Sequence, residues 1–435
     1  MVADPSWSVN RWLEHLESLH SADIELGLER VRDVASRLDC LRPAPFVVLV
    51  AGTNGKGTTT AWMSALLQKQ GLRVGCYNSP HIRRYNERVS VNGTDINDDD
   101  LRESFLKVEE VRGHTPLTYF EFGTLAALSW LKTRPLDVCI LEIGLGGRLD
   151  AVNIADADLC IVTSVGLDHQ SWLGNSRDAI AREKYAIARP GKYLISGEID
   201  PPDSARQVVA ELGGIWIGRG EQFDLQETSS SVFDISFCPE ADSDIRMNWQ
   251  LPIGAIPTPN VATGLQALAM MGHLLPEQDV SQTLDKLRVS GRMQGWQYTD
   301  PDGNGLRVTL DVAHNPQAAS YLSQRLNTVD GILLAMLEDK APEEVLDALP
   351  AARRIIAAGL DCYRGLSACA LSERLGQTMA EASEETVQAA TVEEGIRYIQ
   401  TLAKPGDHWL IVGSFFTVEA ALNVIEADGS KWKSI

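Results

Sequence analysis

The residues best suited to chemistry in this chain form one short run, Gly52-Thr53-Asn54-Gly55-Lys56-Gly57-Thr58. Glycines let backbone N–H groups approach anionic oxygens, a following helix adds positive potential at its N-terminus, and Lys56 supplies a full charge. Together they make a cradle for phosphate. The spacing is not that of the common nucleotide loop. Gly52 precedes Gly55-Lys56 by three positions rather than five, and Gly57 stands where a hydroxyl residue usually follows the lysine. Lys56 is therefore the stronger reading as a phosphate clamp, and Thr58 the weaker one as a Mg²⁺ ligand. The bland alternative is a glycine-rich turn with an incidental lysine. Further along, Cys139-Ile140-Leu141 runs into Glu142 just ahead of Gly144-Leu145-Gly146-Gly147, and Cys160–Val165 runs up to Asp168-His169. Ligands of open α/β sheets bind beyond the carboxyl ends of strands, so Glu142 is placed to hold Mg²⁺ on nucleotide phosphates and His169 is a second candidate. A histidine at one strand end is more often structural; two neighbouring strands with such ends favour the metal. Ser79-Pro80-His81 follows another short strand, Arg73–Tyr77, and by itself reads as a turn. Arg182-Glu183-Lys184 reads by itself as the solvated face of a helix.

The elements that must position these groups alternate along the chain. Phe46–Val50 is a β-branched strand, followed by the loop and a helix from about Thr58 to Gln70; 137–143 and 159–165 are further buried strands. Helical periodicity fits 101–111, 120–131, 177–188 and 261–275. Such alternation implies an α/β fold with a mainly parallel sheet covered on both faces. From about Trp216 to Leu251 short strand-like pieces suggest a small β-rich excursion. Val289–Gly295 is the best junction, giving domains 1–294 and 295–435. After it come strands at 306–310, 332–337, 355–358 and 409–412 and helices at 318–326, 343–349 and 418–427.

Composition bounds the partners. The chain has 435 residues, enough for two domains, and a formal charge of -20 from 39 basic and 59 acidic residues. Nucleic-acid binding rests on neutralising phosphates with Lys and Arg, so no nucleic-acid partner is expected. Seven scattered cysteines form no CxxC pair, which favours a reduced compartment over a disulfide framework or a zinc site. No apolar run approaches the ~18 residues of a membrane span, and no signal peptide is visible. The expectation is a cytoplasmic, monomeric enzyme with small-molecule substrates.

The series of motifs resembles the folylpolyglutamate synthases, relatives of the Mur ligases. The phosphate loop, Ser79-Pro80-His81, Glu142–Ala151, Asp168-His169, Arg182-Glu183-Lys184, Gly291-Arg292, Asp311–Pro316 and Gly413-Ser414-Phe415-Phe416 carry the match, in order over nearly the whole chain. The resemblance implies a Mur-ligase-like ATPase domain followed by a smaller Rossmann-like domain. It implies ATP contacts at Thr53, Asn54, Gly55, Lys56, Gly57, Thr58, Asn260, Arg292 and Asp311. Ser79, Glu142, His169 and Lys184 would be the ligands of two Mg²⁺ ions, with Lys184 as a carbamate and Lys56, Lys184 and His169 catalytic. His314 and Ser414 would line a glutamate site.

Two more segments are similar to the pterin-binding elements of bifunctional members, which add the first glutamate to dihydropteroate and later ones to folates. They are Glu25-Leu26-Gly27-Leu28 and Thr118-Tyr119-Phe120-Glu121, with Leu149-Asp150-Ala151 at the same site. Glu25 stands where many relatives have Asp. The implied activity is ATP-dependent ligation of L-glutamate to dihydropteroate and to folates through an acyl phosphate. A folylpolyglutamate synthase without the dihydrofolate synthase activity, a Mur-type amino-acid ligase and a nucleotide-binding switch are the alternatives.

Overall fold

Phe46–Ala51 (β1) has no polar residue and so must be covered on both faces, which makes it the centre of a parallel sheet. In the computed structural model, which describes residues 4–20, 27–240, 245–300, 303, 305–402 and 404–435, it occupies that place. The chain divides into two units, Met1–Leu287 and Arg288–Ile435. The division falls ahead of the 294/295 boundary expected from sequence, and the first strand of the second unit begins at Gln294.

The first unit holds β1, β2 (Val74–Tyr77), β3 (Val89–Val91), β4 (Thr94–Asp95), β5 (Val138–Glu142), β6 (Leu159–Val162), β7 (Tyr193–Ser196) and β8 (Ile215–Gly218). They form one eight-stranded sheet in the order β4-β3-β2-β5-β1-β6-β7-β8. β2 and β5 to β8 run parallel to β1; β3 is antiparallel to β2, and β4 is antiparallel to β3. Register places Tyr77 opposite Leu141, Val50 opposite Glu142 and Ala51 opposite Val162, so the strand exits that carry Ser79, Glu142, the phosphate loop and His169 share one edge. Order and register thus assemble the site before any side chain is considered.

Two differences from the sequence reading concern this sheet. β8 belongs to it, so the β-rich excursion starts only at β9 (Phe223–Glu227) and continues through β10 (Val232–Phe237) and β11 (Met247–Pro252), an antiparallel three-stranded sheet. β6 stops at Val162 instead of Val165, because the backbone there leaves the ladder to meet the phosphate loop. The helices Val9–Ser18 and Glu29–Arg37 pack on Asp98–Arg112 and Tyr119–Lys132. Trp12 seals this layer, fully buried with its ring 5.8 Å from Phe105.

The second unit has its own core, including Ile332, Leu334, Ile355, Leu410 and Val412. Its strands are β12 (Gln294–Thr299), β13 (Gly305–Asp311), β14 (Thr328–Leu334), β15 (Ala351–Ala358), β16 (Glu385–Ala389), β17 (His408–Val412) and β18 (Trp432–Ser434). They form a seven-stranded sheet in the order β16-β15-β14-β17-β13-β12-β18. β13 to β17 are parallel and β12 is antiparallel to β13. No helix among the described residues is long and apolar enough to cross a membrane.

Candidate active site

The helix Lys56–Lys69 begins directly from the glycine loop. Its N-cap, Gly55, has φ 90° and offers no side chain to cap it, so the first turn's N–H groups remain available to an anion. Glycine is required here: a Cβ on Gly55 would lie 2.5 Å from Asn260 Oδ1, and one on Gly52 (φ 148°) would lie 1.9 Å from Thr163 Oγ1. The loop is stitched to the exit of β6. Thr53 N donates to Ser164 O (2.9 Å), Asn54 N to Ser164 Oγ (3.1 Å), and Thr163 Oγ1 donates to Asn54 O (2.6 Å). Gly166 N donates to Thr53 Oγ1 at 2.9 Å.

Lys56 folds over this loop, with Nζ 3.1 Å from Gly52 O and 3.9 Å from Glu142 Oε1. Gly57 sits beside the same carboxylate, its Cβ position 3.5 Å from Glu142 Oε2. Thr58 is buried and fully engaged: its hydroxyl donates to Gly55 O (2.9 Å) and accepts from Asn260 Nδ2 (2.8 Å). Asn260, far away in sequence on the helix Thr258–Met270, therefore braces the loop through Thr58.

Next to the loop, Ser79 N donates to Glu142 Oε2 at 3.3 Å, and Ser79 Oγ is buried without a hydrogen-bond partner. A buried, unsatisfied hydroxyl beside a buried carboxylate suits a hard cation that takes oxygen ligands. No cluster of three or more His, Cys, Asp or Glu able to hold a metal occurs among the described residues. His169 lies beyond the exit of β6, at φ 49°, with its side chain 40% exposed.

Lys184 is the residue whose surroundings differ most from the sequence reading. Instead of a solvated face, the helix Arg177–Tyr185 docks against the glycines after β5: Arg148 N donates to Glu183 O (2.9 Å), and a Cβ on Gly147 would meet that carbonyl at 2.6 Å. Lys184 is thereby buried, only 4% exposed. Burial and the nearby Lys56 charge pull its amine down from 10.5 to about 7, partly offset by Asp168, Asp150 and Glu183. Lys56, Lys184, Asp150 and Asp168 therefore share one electrostatic neighbourhood.

The expected pterin elements sit on the same side. Thr118 and Glu121 form a reciprocal cap on the helix Tyr119–Lys132, with Glu121 Oε2 accepting from Thr118 N at 2.8 Å, and Glu121 pairs with Arg30 at 2.8 Å. Those contacts make both residues structural, whatever else they touch. Phe120 presses on Gly144, where a Cβ would lie 2.5 Å from the ring, and stacks on Tyr77 at 6.3 Å. Asp150 caps the turn Ala151–Ile154 and accepts from Leu145 N (2.8 Å) and Val152 N (2.9 Å). Burial pushes its carboxyl up to about 6, against the pull of those N–H donors and Lys56. Leu149 beside it is half-buried and Ala151 buried. Gly27 and Leu28 lead into the helix Glu29–Arg37; Glu25 and Leu26 lie outside the described residues.

In the second unit the candidates gather at the carboxyl ends of the paired strands β13 and β17. Asp311 is buried, accepts from Met293 N and Ala313 N (both 2.8 Å), and has its carboxyl raised by burial against the charge of Arg292. The Arg292 guanidinium lies 5.1 Å from the Phe415 ring, and His314 Nδ1 is 2.9 Å from Val312 O. Ser414 caps the helix Phe415–Ala427. Thr417 Oγ1 donates to Ala335 O, so the 2.7 Å contact between the hydroxyls uses the Ser414 proton, and Ser414 Oγ also accepts from Thr417 N. Ser414 can accept one further hydrogen bond but has none left to donate.

The family described as "Mur ligase, glutamate ligase domain" matches residues 291–415. The dihydrofolate synthase/folylpolyglutamate synthase of Escherichia coli K12 is 40% identical over 97% of this chain and 96% of its own length. Among solved structures, E. coli FolC in complex with DHPP and ADP superposes with a TM-score of 0.88 at 38% identity, covering 98% of this chain and 100% of that one. A bifunctional folylpolyglutamate synthase/dihydrofolate synthase of Yersinia pestis complexed with AMPPNP and Mn gives 0.87 at 38% identity, with the same coverage. With identity of this level over nearly the full length of both chains, the chain belongs to the dihydrofolate synthase/folylpolyglutamate synthase family of Mur-type ligases.

Proposed function

We propose that this chain is an ATP-dependent ligase that joins L-glutamate to dihydropteroate, forming dihydrofolate, and adds further glutamates to folates. The observation that carries this reading is the shared strand edge. An open helix N-terminus with Lys56 and the Ser79–Glu142 pair lie at the exits of β1, β2 and β5, and Phe120 packs on Gly144 just past β5.

A carboxylate does not react with an amine at neutral pH, because its leaving group would be oxide. Activation needs phosphate. A carboxylate oxygen of the pteroyl substrate attacks the γ-phosphorus of ATP, ADP departs, and an acyl phosphate remains. The glutamate nitrogen then attacks the carbonyl carbon, loses a proton, and phosphate leaves. Phosphoryl transfer is governed by positioning and charge neutralisation. Lys56 and the first-turn N–H groups of its helix supply these for ATP, while Thr53, Asn54, Gly55, Gly57, Thr58 and Asn260 keep the cradle in shape.

The relatives' nucleotide and metal complexes support ATP and a divalent cation as cofactors; we assign the cation to two Mg²⁺ sites. Ser79 and Glu142 would hold one. His169 and Lys184 would serve the other, the lysine as a carbamate. A buried amine with a pKa of about 7 is substantially neutral at physiological pH, and a neutral amine can add to CO₂. When bound, the ions neutralise phosphate oxygens. In the second unit, Arg292 and Asp311 are assigned to ATP, and His314 and the remaining Ser414 lone pair to glutamate.

The test supplies ATP, Mg²⁺ and glutamate with either dihydropteroate or tetrahydrofolate and follows product mass. Mass gains of one glutamate on both acceptors are expected. Growth on tetrahydrofolate alone would reduce the chain to a folylpolyglutamate synthase, and reaction only with a UDP-linked peptide acid would place it with the cell-wall ligases.

A further inference from the structure

Arg88 ends the short turn Tyr85–Arg88 that feeds β3, and its side chain is buried, the residue being 8% exposed. Half-buried arginines of this chain find oxygen acceptors: Arg30 has Glu121, Arg112 has Glu109, Arg354 has Asp407, and Arg189 has the carbonyls of Asn153, Ala155 and Ile187. Arg88 has no carboxylate partner among the described residues. Its Nε donates to His81 Nδ1 (2.9 Å), its guanidinium packs 4.9 Å from the Tyr85 ring and 5.8 Å from the Tyr119 ring, and the Tyr77 hydroxyl is its other polar neighbour. The adjacent acid, Glu87, is occupied in accepting from the N–H groups of Ile82, Arg83 and Arg84.

A guanidinium cannot shed its proton to escape burial, and a buried charge without a counter-ion is costly unless something else supplies the anion. The location narrows what that is. Arg88 O accepts from Asn78 N (2.8 Å), tying it to the turn that presents Ser79. Both Asn78 Oδ1 and Ser79 Oγ are buried with no hydrogen-bond partner. Tyr77, which touches Arg88, stacks on Phe120 of the pterin pocket. The guanidinium therefore lies beside Tyr77 and Tyr119, next to the expected pterin elements, while its backbone is tied to the turn that presents Ser79. Dihydropteroate carries one ionised group at neutral pH, the carboxylate of its aminobenzoyl end, and that is the group to be phosphorylated.

We infer that Arg88 binds the reacting carboxylate of the pteroyl substrate and makes the site select an acid over its neutral isostere. This rests on the ligase reading and adds to it the residue that recognises the acid. A guanidinium in this place offers paired N–H donors to a carboxylate and keeps a partner after phosphorylation, since the acyl phosphate is also anionic. Tyr85 and Tyr119 both pack against it.

Equilibrium binding of dihydropteroate and of its primary carboxamide, each with ADP and Mg²⁺, tests this in the wild type, Arg88→Gln and Arg88→Lys. The wild type should prefer the acid by roughly 10- to 100-fold, the scale of one charge-assisted interaction. Arg88→Gln should lose that preference by weakening the acid alone, with the carboxamide unchanged within about threefold. In turnover its KM for dihydropteroate should rise while KM for ATP stays, and Arg88→Lys should recover part of the preference. Equal weakening of acid and carboxamide would show a purely structural arginine and overturn the assignment, as would a full acid preference in Arg88→Gln. Should Arg88→Gln fail to fold, the same comparison in Arg88→Lys decides: a reduced acid preference supports the assignment and an undiminished one overturns it. A wild type that binds neither ligand overturns the ligase reading itself.

Discussion

Lys56→Ala should abolish ligation while leaving the fold intact. The lysine makes one hydrogen bond to Gly52 O and a 3.9 Å approach to Glu142, so the native state loses little when it is removed. Thermal unfolding should move by no more than about 2 °C, the shift that ~1 kcal/mol produces in a domain the size of the first unit. Catalysis is affected differently, because charge on the transferring phosphoryl group peaks in the transition state and a preorganised cation there is worth far more than in water. We expect kcat to fall by at least about a thousandfold, the scale of removing a charge-stabilising group from phosphoryl transfer. Steady-state phosphate release beside a melting curve checks both halves. Activity within tenfold of wild type would remove Lys56 from the chemistry.

Lys184→Met carries the second large expectation, with opposite signs for activity and stability. Activity should drop by about a thousandfold if the lysine carries a charge needed at the phosphates, and a short carboxylate such as acetate should restore part of it in Lys184→Ala, where the vacated space can admit one. Stability should respond differently. The folded-state pKa of Lys184 lies near 7, below its unfolded value of 10.5, because burial and Lys56 disfavour the ammonium. Between those values the unfolded chain binds the extra proton, so this group's contribution to stability rises with pH through the window. Below about pH 7 both states are protonated and the folded state bears the full cost of a buried ammonium. In CO₂-free buffer the wild type should thus gain stability relative to Lys184→Met from pH 7 to 10, with a slope approaching about 1.4 kcal/mol per pH unit. Denaturant titrations at several pH values measure this difference, and a flat one would mean that the amine is not buried as described.

The phosphate loop and Glu142 were legible in the sequence because each lies at the end of an unmistakable apolar strand. The α/β alternation around them was equally plain. The contacts of Thr163 and Ser164 with the loop were not legible. Their β-branched neighbourhood reads as more strand, and only the long-range contact with Asn54 shows that the strand has ended to brace the loop. Asn260 depends on the same kind of information: its partner Thr58 is 202 residues away, and only the family resemblance pointed to it. Lys184 failed in the other direction, since a charged helical run looks solvated until the docking of its helix on Gly146-Gly147 is known. Arg88 was invisible for a similar reason, lying in a stretch with Arg83, Arg84 and Glu87 that reads as surface. Thr118-x-x-Glu121 shows how one pattern serves two ends: its spacing specifies a helix cap, and its resemblance points to pterin binding.

The acyl phosphate is the central intermediate of the proposed reaction, and the route of a single oxygen atom tests it. Dihydropteroate labelled with oxygen-18 in both carboxylate positions is turned over with ATP, Mg²⁺ and glutamate, and the released phosphate is weighed. One carboxylate oxygen should appear in each phosphate and the other should remain in the amide of dihydrofolate. Unlabelled phosphate, or phosphate released at the same rate without glutamate and dihydropteroate, would contradict the mechanism.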